Sequence, residues 1–170
     1  MASLDRSDDM SQSLGTAFSP TGPWVWFFPL AYGFHIAEEY WLHFPAWVAK
    51  LSGRHISNLQ FLVLNAIFWL LMVAGVALRA RPSQVWLVVT LAAILGINAG
   101  LHLLSSAVTA TYSPGAVTSL VFYIPLVVYA LRQALPLVSR GVAICAGALG
   151  AAIHAGVMLM AANPLLIPLP

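Results

Sequence analysis

The chain has 170 residues, of which 61% are hydrophobic and 7% are charged. Soluble domains carry about 25% charged residues, so this composition excludes an ordinary soluble protein and predicts an integral membrane protein. Seven Lys and Arg against five Asp and Glu leave a formal net charge of +2. That charge is too small for a nucleic-acid-binding surface, and we predict no nucleic acid partner.

The hydropathy pattern divides the chain into three parts. Residues 1–22 are polar and are predicted to form a disordered tail. Residues 23–162 are predicted to form a transmembrane domain, because a span of about 20 apolar residues crosses the hydrocarbon core as a helix. The predicted spans are Trp24–Phe44, Asn58–Leu78, Val85–Leu104, Gly115–Leu135 and Gly141–Met160. Residues 163–170 form a short apolar tail. The predicted fold is therefore an all-α, polytopic membrane bundle of about five helices.

Positively charged residues predict the orientation of these helices. Lys50 and Arg54 lie on one side of the five spans, and the other side carries Arg6, Arg79, Arg81, Arg132 and Arg140. Cytoplasmic flanks are richer in Lys and Arg. We therefore predict a protein of the bacterial inner (plasma) membrane with a cytoplasmic N-terminus and an external C-terminus.

Two further patterns concern helix packing. Small residues let helix backbones approach closely in lipid, and they are frequent in the third and fifth spans: Gly96, Gly100, Gly147, Gly150 and Gly156. The third and fifth helices are therefore predicted to be neighbours in the interior. Pro125 is predicted to kink the fourth helix, because proline removes a backbone donor and clashes with the preceding turn.

The first span contains the sequence His35-Ile-Ala-Glu38-Glu39. A carboxylate near the bilayer centre costs roughly 2.5–3.5 kcal/mol on insertion scales, so such residues are paired, bound to a metal or placed beside water. Helical spacing puts His35, Glu38 and Glu39 on one face. Asn98 and His102, four residues apart, also share a face of the third helix.

Helix geometry predicts that these groups meet at one depth. With a rise of about 1.5 Å per residue, His35 and Glu39 lie roughly 16 and 22 Å from the start of their helix. Asn98, His102 and His154 lie at roughly 21, 27 and 20 Å in helices that run the same way. Three helices thus bring polar side chains to one layer in the outer half of the membrane.

Imidazole and carboxylate ligands together suit Zn, Fe or Mn, and we predict one or two such ions. The predicted metal ligands are His35, Glu38, Glu39, His102 and His154, with Glu38 also a candidate general base. Outer hydrogen-bond donors or substrate contacts are predicted at Asn98, Asn65 and His43. A hydrogen-bonded network without metal is the alternative interpretation of the same residues.

These motifs resemble those of the HXXEE family of small bacterial membrane proteins. His35 to Glu39 matches the HXXEE motif, Asn98 to His102 matches an NXXXH motif, and His154 is similar to a further separate histidine of that family. The resemblance implies metal binding and leaves the reaction open. Glu38, Glu39 and His102 are also similar to the Glu pair and His of intramembrane CAAX-type proteases, which usually have more helices.

From these observations we predict a metal-dependent membrane hydrolase, isomerase or oxidase that acts on a lipid-like or apolar substrate. One alternative is a proton- or ion-translocating protein, in which the same side chains form a relay. The other is a non-catalytic subunit of a larger membrane complex. The predicted partners are membrane lipid and the lipid-like substrate, and both a homo-oligomer and a larger complex stay open.

Overall fold

A computed structural model describes residues 22–78 and 84–162 of the protein, and every regular element in these two ranges is helical. A 3₁₀ turn, Pro23–Trp26, leads into α1, Phe27–Trp41, which is followed by the short helix α2, Phe44–Ser52. The longer helices are α3, Asn58–Leu78, and α4, Val85–Thr109. They are followed by α5, Ala116–Leu137, and α6, Arg140–Ala162. Residues 1–21 of the predicted N-terminal tail and the predicted C-terminal tail lie outside the described residues, as do Arg79 and Arg81.

The predicted all-α membrane bundle is confirmed. In the described part of the chain, the helices α3, α4, α5 and α6 are each long and apolar enough to cross a membrane. The first predicted span is divided instead between the 3₁₀ turn and α1, which has 15 residues. Its helix ends early because His43 adopts a left-handed conformation, with φ 56°, which starts α2 in a new direction.

The helix α1 buries a single stripe of side chains. Its buried residues include Phe28, Ala31, Tyr32, His35 and Glu39, which follow the spacing of one helix face. The stripe packs beside α3, where the Trp69 indole N–H donates to the Pro29 carbonyl oxygen at 2.9 Å. Two of the three polar residues of the HXXEE motif, His35 and Glu39, thus continue the buried face of α1.

The helix α4 lies in the centre of the bundle and packs against α5 and α6. A Cβ atom added at Gly150 would lie 2.7 Å from the Thr90 carbonyl oxygen and 2.8 Å from the Ala93 Cβ. The Thr90 hydroxyl also donates to the Ala146 carbonyl oxygen at 3.1 Å. The predicted contact between the third and fifth spans is therefore confirmed, and Gly150 provides its closest approach.

The helix α5 departs from regular α-helix at Pro125. It begins with Ala116–Thr118, passes through a π-helical turn at Ser119–Tyr123, and continues as α-helix from Ile124–Ala134. A wider turn relieves the clash that proline makes with the carbonyl four residues earlier. The predicted disturbance at Pro125 is thus a π turn, and it buries Ser119 and Tyr123 completely.

Replacing Gly150 with Ala is expected to destabilise the bundle, because the added methyl group overlaps α4. Overpacking of this kind costs about 1–3 kcal/mol. The measurement is the unfolding free energy in mixed detergent micelles. Gly147→Ala is the matched control on the same helix, since a Cβ atom there meets nothing within 4 Å. Equal stability of the two variants would contradict the close contact.

Candidate metal centre

His35 and Glu39 from α1 and His102 from α4 converge in the interior. One ligand atom from each lies within 4.8 Å of the other two, and we call these three residues the metal-binding group. The Glu39 Oε1 atom is 3.6 Å from His35 Nε2 and 3.3 Å from His102 Nε2. The three side chains are buried, with His35 fully enclosed. These atoms form a compact set of two imidazole nitrogens and one carboxylate oxygen.

A hydroxyl group contacts the Nδ1 atom of each imidazole ring, whereas the Nε2 atoms face Glu39. His35 Nδ1 lies 2.8 Å from Thr118 Oγ1, and His102 Nδ1 lies 3.1 Å from Ser113 Oγ. The Thr118 hydroxyl donates its own proton to the Gly115 carbonyl oxygen at 3.2 Å. With that proton directed to Gly115, the hydroxyl can accept from His35 Nδ1–H, and this tautomer leaves a lone pair on His35 Nε2. That nitrogen has no hydrogen-bond partner in the described part of the protein, as expected of a ligand atom facing a cation.

Gly115 brings the backbone against both rings. It has φ +98°, a conformation that glycine adopts at little cost. A Cβ atom at this position would lie 2.6 Å from His35 Cε1 and 2.9 Å from His102 Cε1. Gly115 is thus required twice, for its backbone conformation and for its contact with the histidines.

Glu38 points away from this group, toward the loop between α4 and α5. Its Oε1 atom accepts from the N–H groups of Gly115 at 3.0 Å and Val117 at 3.2 Å, and from the Tyr112 hydroxyl. Its Oε2 atom accepts from Thr118 N–H at 2.7 Å. Burial and the Glu38 carboxylate raise the pKa of Tyr112 to about 12, so its hydroxyl stays a donor at neutral pH. The sequence predicts Glu38 as a metal ligand and general base. In the structure both of its carboxylate oxygens accept hydrogen bonds from donors outside the metal-binding group.

His154 and Asn98 lie beside the metal-binding group. The α4–α6 contact pairs Thr90 with Ala146 and Ile94 with Gly150, so one turn further Asn98 faces His154. Both residues line the same cavity as Glu39 and His102. Within the described part of the chain, the ligand atoms that lie within 4.8 Å of one another come from the metal-binding group. His154 is outside that group.

The two remaining predicted residues have different surroundings. Asn65 lines the cavity, where its Oδ1 atom accepts from the Tyr32 hydroxyl at 2.6 Å and its Nδ2 donates to the Phe61 carbonyl oxygen at 2.9 Å. His43 is exposed at the junction of α1 and α2 and is not part of the cavity lining in the described chain.

The metal-binding group borders a cavity of about 220 Å³. For comparison, an engineered apolar cavity of about 150 Å³ binds benzene. The lining includes Glu39 and His102 and is otherwise mostly apolar, with Phe44, Trp47, Phe61, Leu64 and Phe68 among its members. Within the described residues the lining contains neither Lys nor Arg. The helix α2 covers this cavity, and its Phe44 ring lies 5.6 Å from the His102 ring.

Sequence reasoning missed the hydroxyls and the glycine that surround the histidines. Tyr112, Ser113, Gly115 and Thr118 all come from the loop after α4 and the start of α5. The available signal was the uncharged stretch of residues 105–114, rich in Ser and Thr, between the third and fourth predicted spans.

Comparison with known proteins identifies the family. The sequence profile of a family described as "Protein of unknown function with HXXEE motif" matches residues 26–130, more than half of the chain. This chain belongs to that family, as its motifs predict. The match includes His35, Glu39 and His102, whereas His154 lies beyond it. No curated protein and no solved structure matches the chain.

Gly115→Ala is expected to lower metal affinity by at least tenfold, because the methyl group displaces both imidazoles. The measurement is metal binding to the purified variant by competition with a chelating dye. Gly53→Ala is the matched control: Gly53 also has positive φ, +70°, but a Cβ atom there meets nothing within 4 Å. Equal metal affinity in both variants would contradict the prediction that a methyl group at position 115 displaces the two histidines.

Proposed function

We propose that this protein is an integral membrane metalloenzyme in which His35, Glu39 and His102 hold one divalent transition metal. The observation that carries the proposal is the buried His35 Nε2 atom, which has no hydrogen-bond partner among the described residues and faces a carboxylate and a second imidazole. Two imidazoles and one carboxylate are a ligand set that zinc and iron accept, and catalytic zinc sites use three protein ligands with one open position.

Charge also favours a cation at this position. A buried carboxylate without a partner carries a large desolvation cost. Glu39 is 5% exposed, and two imidazoles are its ion-pair contacts among the described residues. A divalent cation would neutralise this carboxylate and satisfy both Nε2 lone pairs at the same time.

The residues around the group supply orientation and a dry environment. Bound there, the metal would act as a Lewis acid toward an oxygen of the substrate. Thr118 and Ser113 contact the Nδ1 atoms of the two histidines, and this arrangement directs both Nε2 atoms toward Glu39. The fully buried Tyr123 ring lies 4.7 Å from the His35 ring and excludes water on that side.

The cavity supports an apolar or lipid-like substrate. Its walls are mostly aromatic and aliphatic, and its polar lining residues include Glu39, His102 and His154. The described lining offers no cationic side chain for an anionic headgroup. An uncharged molecule that partitions into lipid fits this lining, with one oxygen at the metal-binding group and its hydrocarbon part among Phe61, Leu64 and Phe68.

For the membrane orientation we propose a cytoplasmic N-terminus in the bacterial inner membrane, which places the metal-binding group in the outer half. The sequence supports this orientation, because the cytoplasmic flanks would carry five arginines, Arg6, Arg79, Arg81, Arg132 and Arg140, against two cationic residues on the other side. Lys50 and Arg54 are the cationic residues near the opposite end, where α2 lies.

Metal analysis tests the centre directly. Protein purified without added metal is expected to contain about one equivalent of a transition metal, and Glu39→Gln and His102→Ala are expected to lose it. The measurement is inductively coupled plasma mass spectrometry on the protein in detergent. His55→Ala, in the exposed loop after α2, is the control and should retain the metal.

A wild-type protein that neither contains nor takes up metal would overturn the proposal. In that case proton flux in liposomes decides the main alternative, because a relay through Glu39 would be lost in Glu39→Gln. Metal that persists in both site variants would place the ion elsewhere.

The substrate class has its own test. Leu64→Trp is expected to fill the cavity, since Leu64 is buried and lines it, without removing a metal ligand. Organic extracts of the purified proteins are compared by mass spectrometry, and an apolar compound retained by wild type should be depleted in this variant. Leu70→Trp, on the exposed face of the same helix, is the control. Identical extracts from all three proteins would contradict the assignment.

A further inference from the structure

The two glutamates of the HXXEE motif have different surroundings. Glu39 faces the two imidazoles, whereas Glu38 accepts hydrogen bonds from four donors of the loop and the first turn of α5. We propose that Glu38 is a positioning residue, which holds this segment so that its hydroxyls orient the His35 and His102 rings and Thr118 sets the tautomer of His35. The proposal rests on the metal-binding role of those histidines.

The Glu38 carboxylate fixes a short stretch of backbone. Three of its donors are backbone N–H groups, from Gly115, Val117 and Thr118. These N–H groups belong to the loop end and to the first residues of α5, where helix donors have no partner within the helix. A carboxylate is suited to this position because it accepts at both oxygens and carries negative charge opposite the helix N-terminus.

The segment from Ser113 to Thr118 also contains the groups that contact the two imidazoles on the side away from Glu39. Thr118 uses its N–H for Glu38 and its Oγ1 for His35 Nδ1. Ser113 lies two residues before Gly115 and contacts His102 Nδ1. Gly115 uses its N–H for Glu38 and packs its Cα against both rings. Displacement of this segment would therefore move both histidine contacts together.

A neutral amide cannot replace the carboxylate here. Glu38→Gln leaves one oxygen, while its NH₂ group must face a backbone N–H that is itself a donor. The Thr118 N–H would then lack a partner, and the segment would shift relative to α1. Outer hydrogen-bond partners of metal ligands typically contribute 10–100-fold to metal affinity.

The experiment uses the full chain in lipid nanodiscs with ¹⁵N-labelled histidine. In metal-free wild type, the imidazole nitrogen shifts of His35 are expected to report a single Nδ1–H tautomer. In Glu38→Gln the His35 ring is expected to become a mixture of tautomers, and zinc affinity to fall about tenfold. A purely structural role would lower the unfolding temperature without moving the tautomers.

The route through the hydroxyls is tested in a second background. In the double variant Ser113→Ala, Thr118→Val, the change Glu38→Gln is expected to cost little further zinc affinity, because the contacts it acts through are already absent. A full additional tenfold loss there would overturn the proposal, as would wild-type tautomers in Glu38→Gln.

Tyr112→Phe is the substitute variant if Glu38→Gln fails to fold, because it removes one of the four donors to Glu38. It is expected to shift the tautomers in the same direction by a smaller amount. Unchanged tautomers in that variant would count against the proposal.

Failure of the metal assignment is distinguishable from failure of this inference. The tautomers are measured without metal, so they test the role of Glu38 even if wild-type protein binds no zinc. Conversely, zinc binding by wild type with unchanged tautomers in Glu38→Gln would retain the metal centre and reject the positioning role.

Discussion

The burial of one carboxylate between two imidazoles is the interaction on which this structure depends. Beyond residue 9, Glu38 and Glu39 are the sole acidic side chains of the chain. Glu39 lies in the interior of a bundle built for lipid, where an unpaired charge is costly. His35 is covalently linked to it through one helical turn, and His102 comes from the central helix α4. The close α4 packing therefore serves the site as well as the fold.

Two adjacent glutamates avoid mutual repulsion because a helix directs consecutive side chains about 100° apart. Glu39 faces the metal-binding group, and Glu38 faces N–H groups at the start of α5. Each carboxylate thus has its own partners: Glu39 has the imidazoles, and Glu38 has the N–H dipoles at the start of α5. The shared element is the segment from Ser113 to Thr118, which touches Glu38 on one side and both histidines on the other.

The cavity lies beside this polar centre, and Glu39 and His102 belong to its lining. The helix α2 folds back at His43 and lays Phe44, Trp47 and Val48 over the cavity. A left-handed residue other than glycine carries some backbone strain. His43 adopts this conformation at the turn from α1 to α2, and α2 forms one side of the cavity. The result is a mostly apolar space whose lining includes Glu39 and His102, which supports chemistry on molecules that dissolve in the membrane.

The sequence by itself determined the membrane class, the bounds of α3, the family, and the convergence of His35, Glu39 and His102, because apolar length and helical spacing are local properties. It also indicated the α4–α6 contact through its small residues. Tertiary structure alone decided that Glu38 and Glu39 diverge, that Ser113 and Thr118 hold the imidazoles, and that Gly115 lies against both rings. These contacts join residues 11 to 83 positions apart, and they depend on how a loop packs, which helical periodicity does not encode.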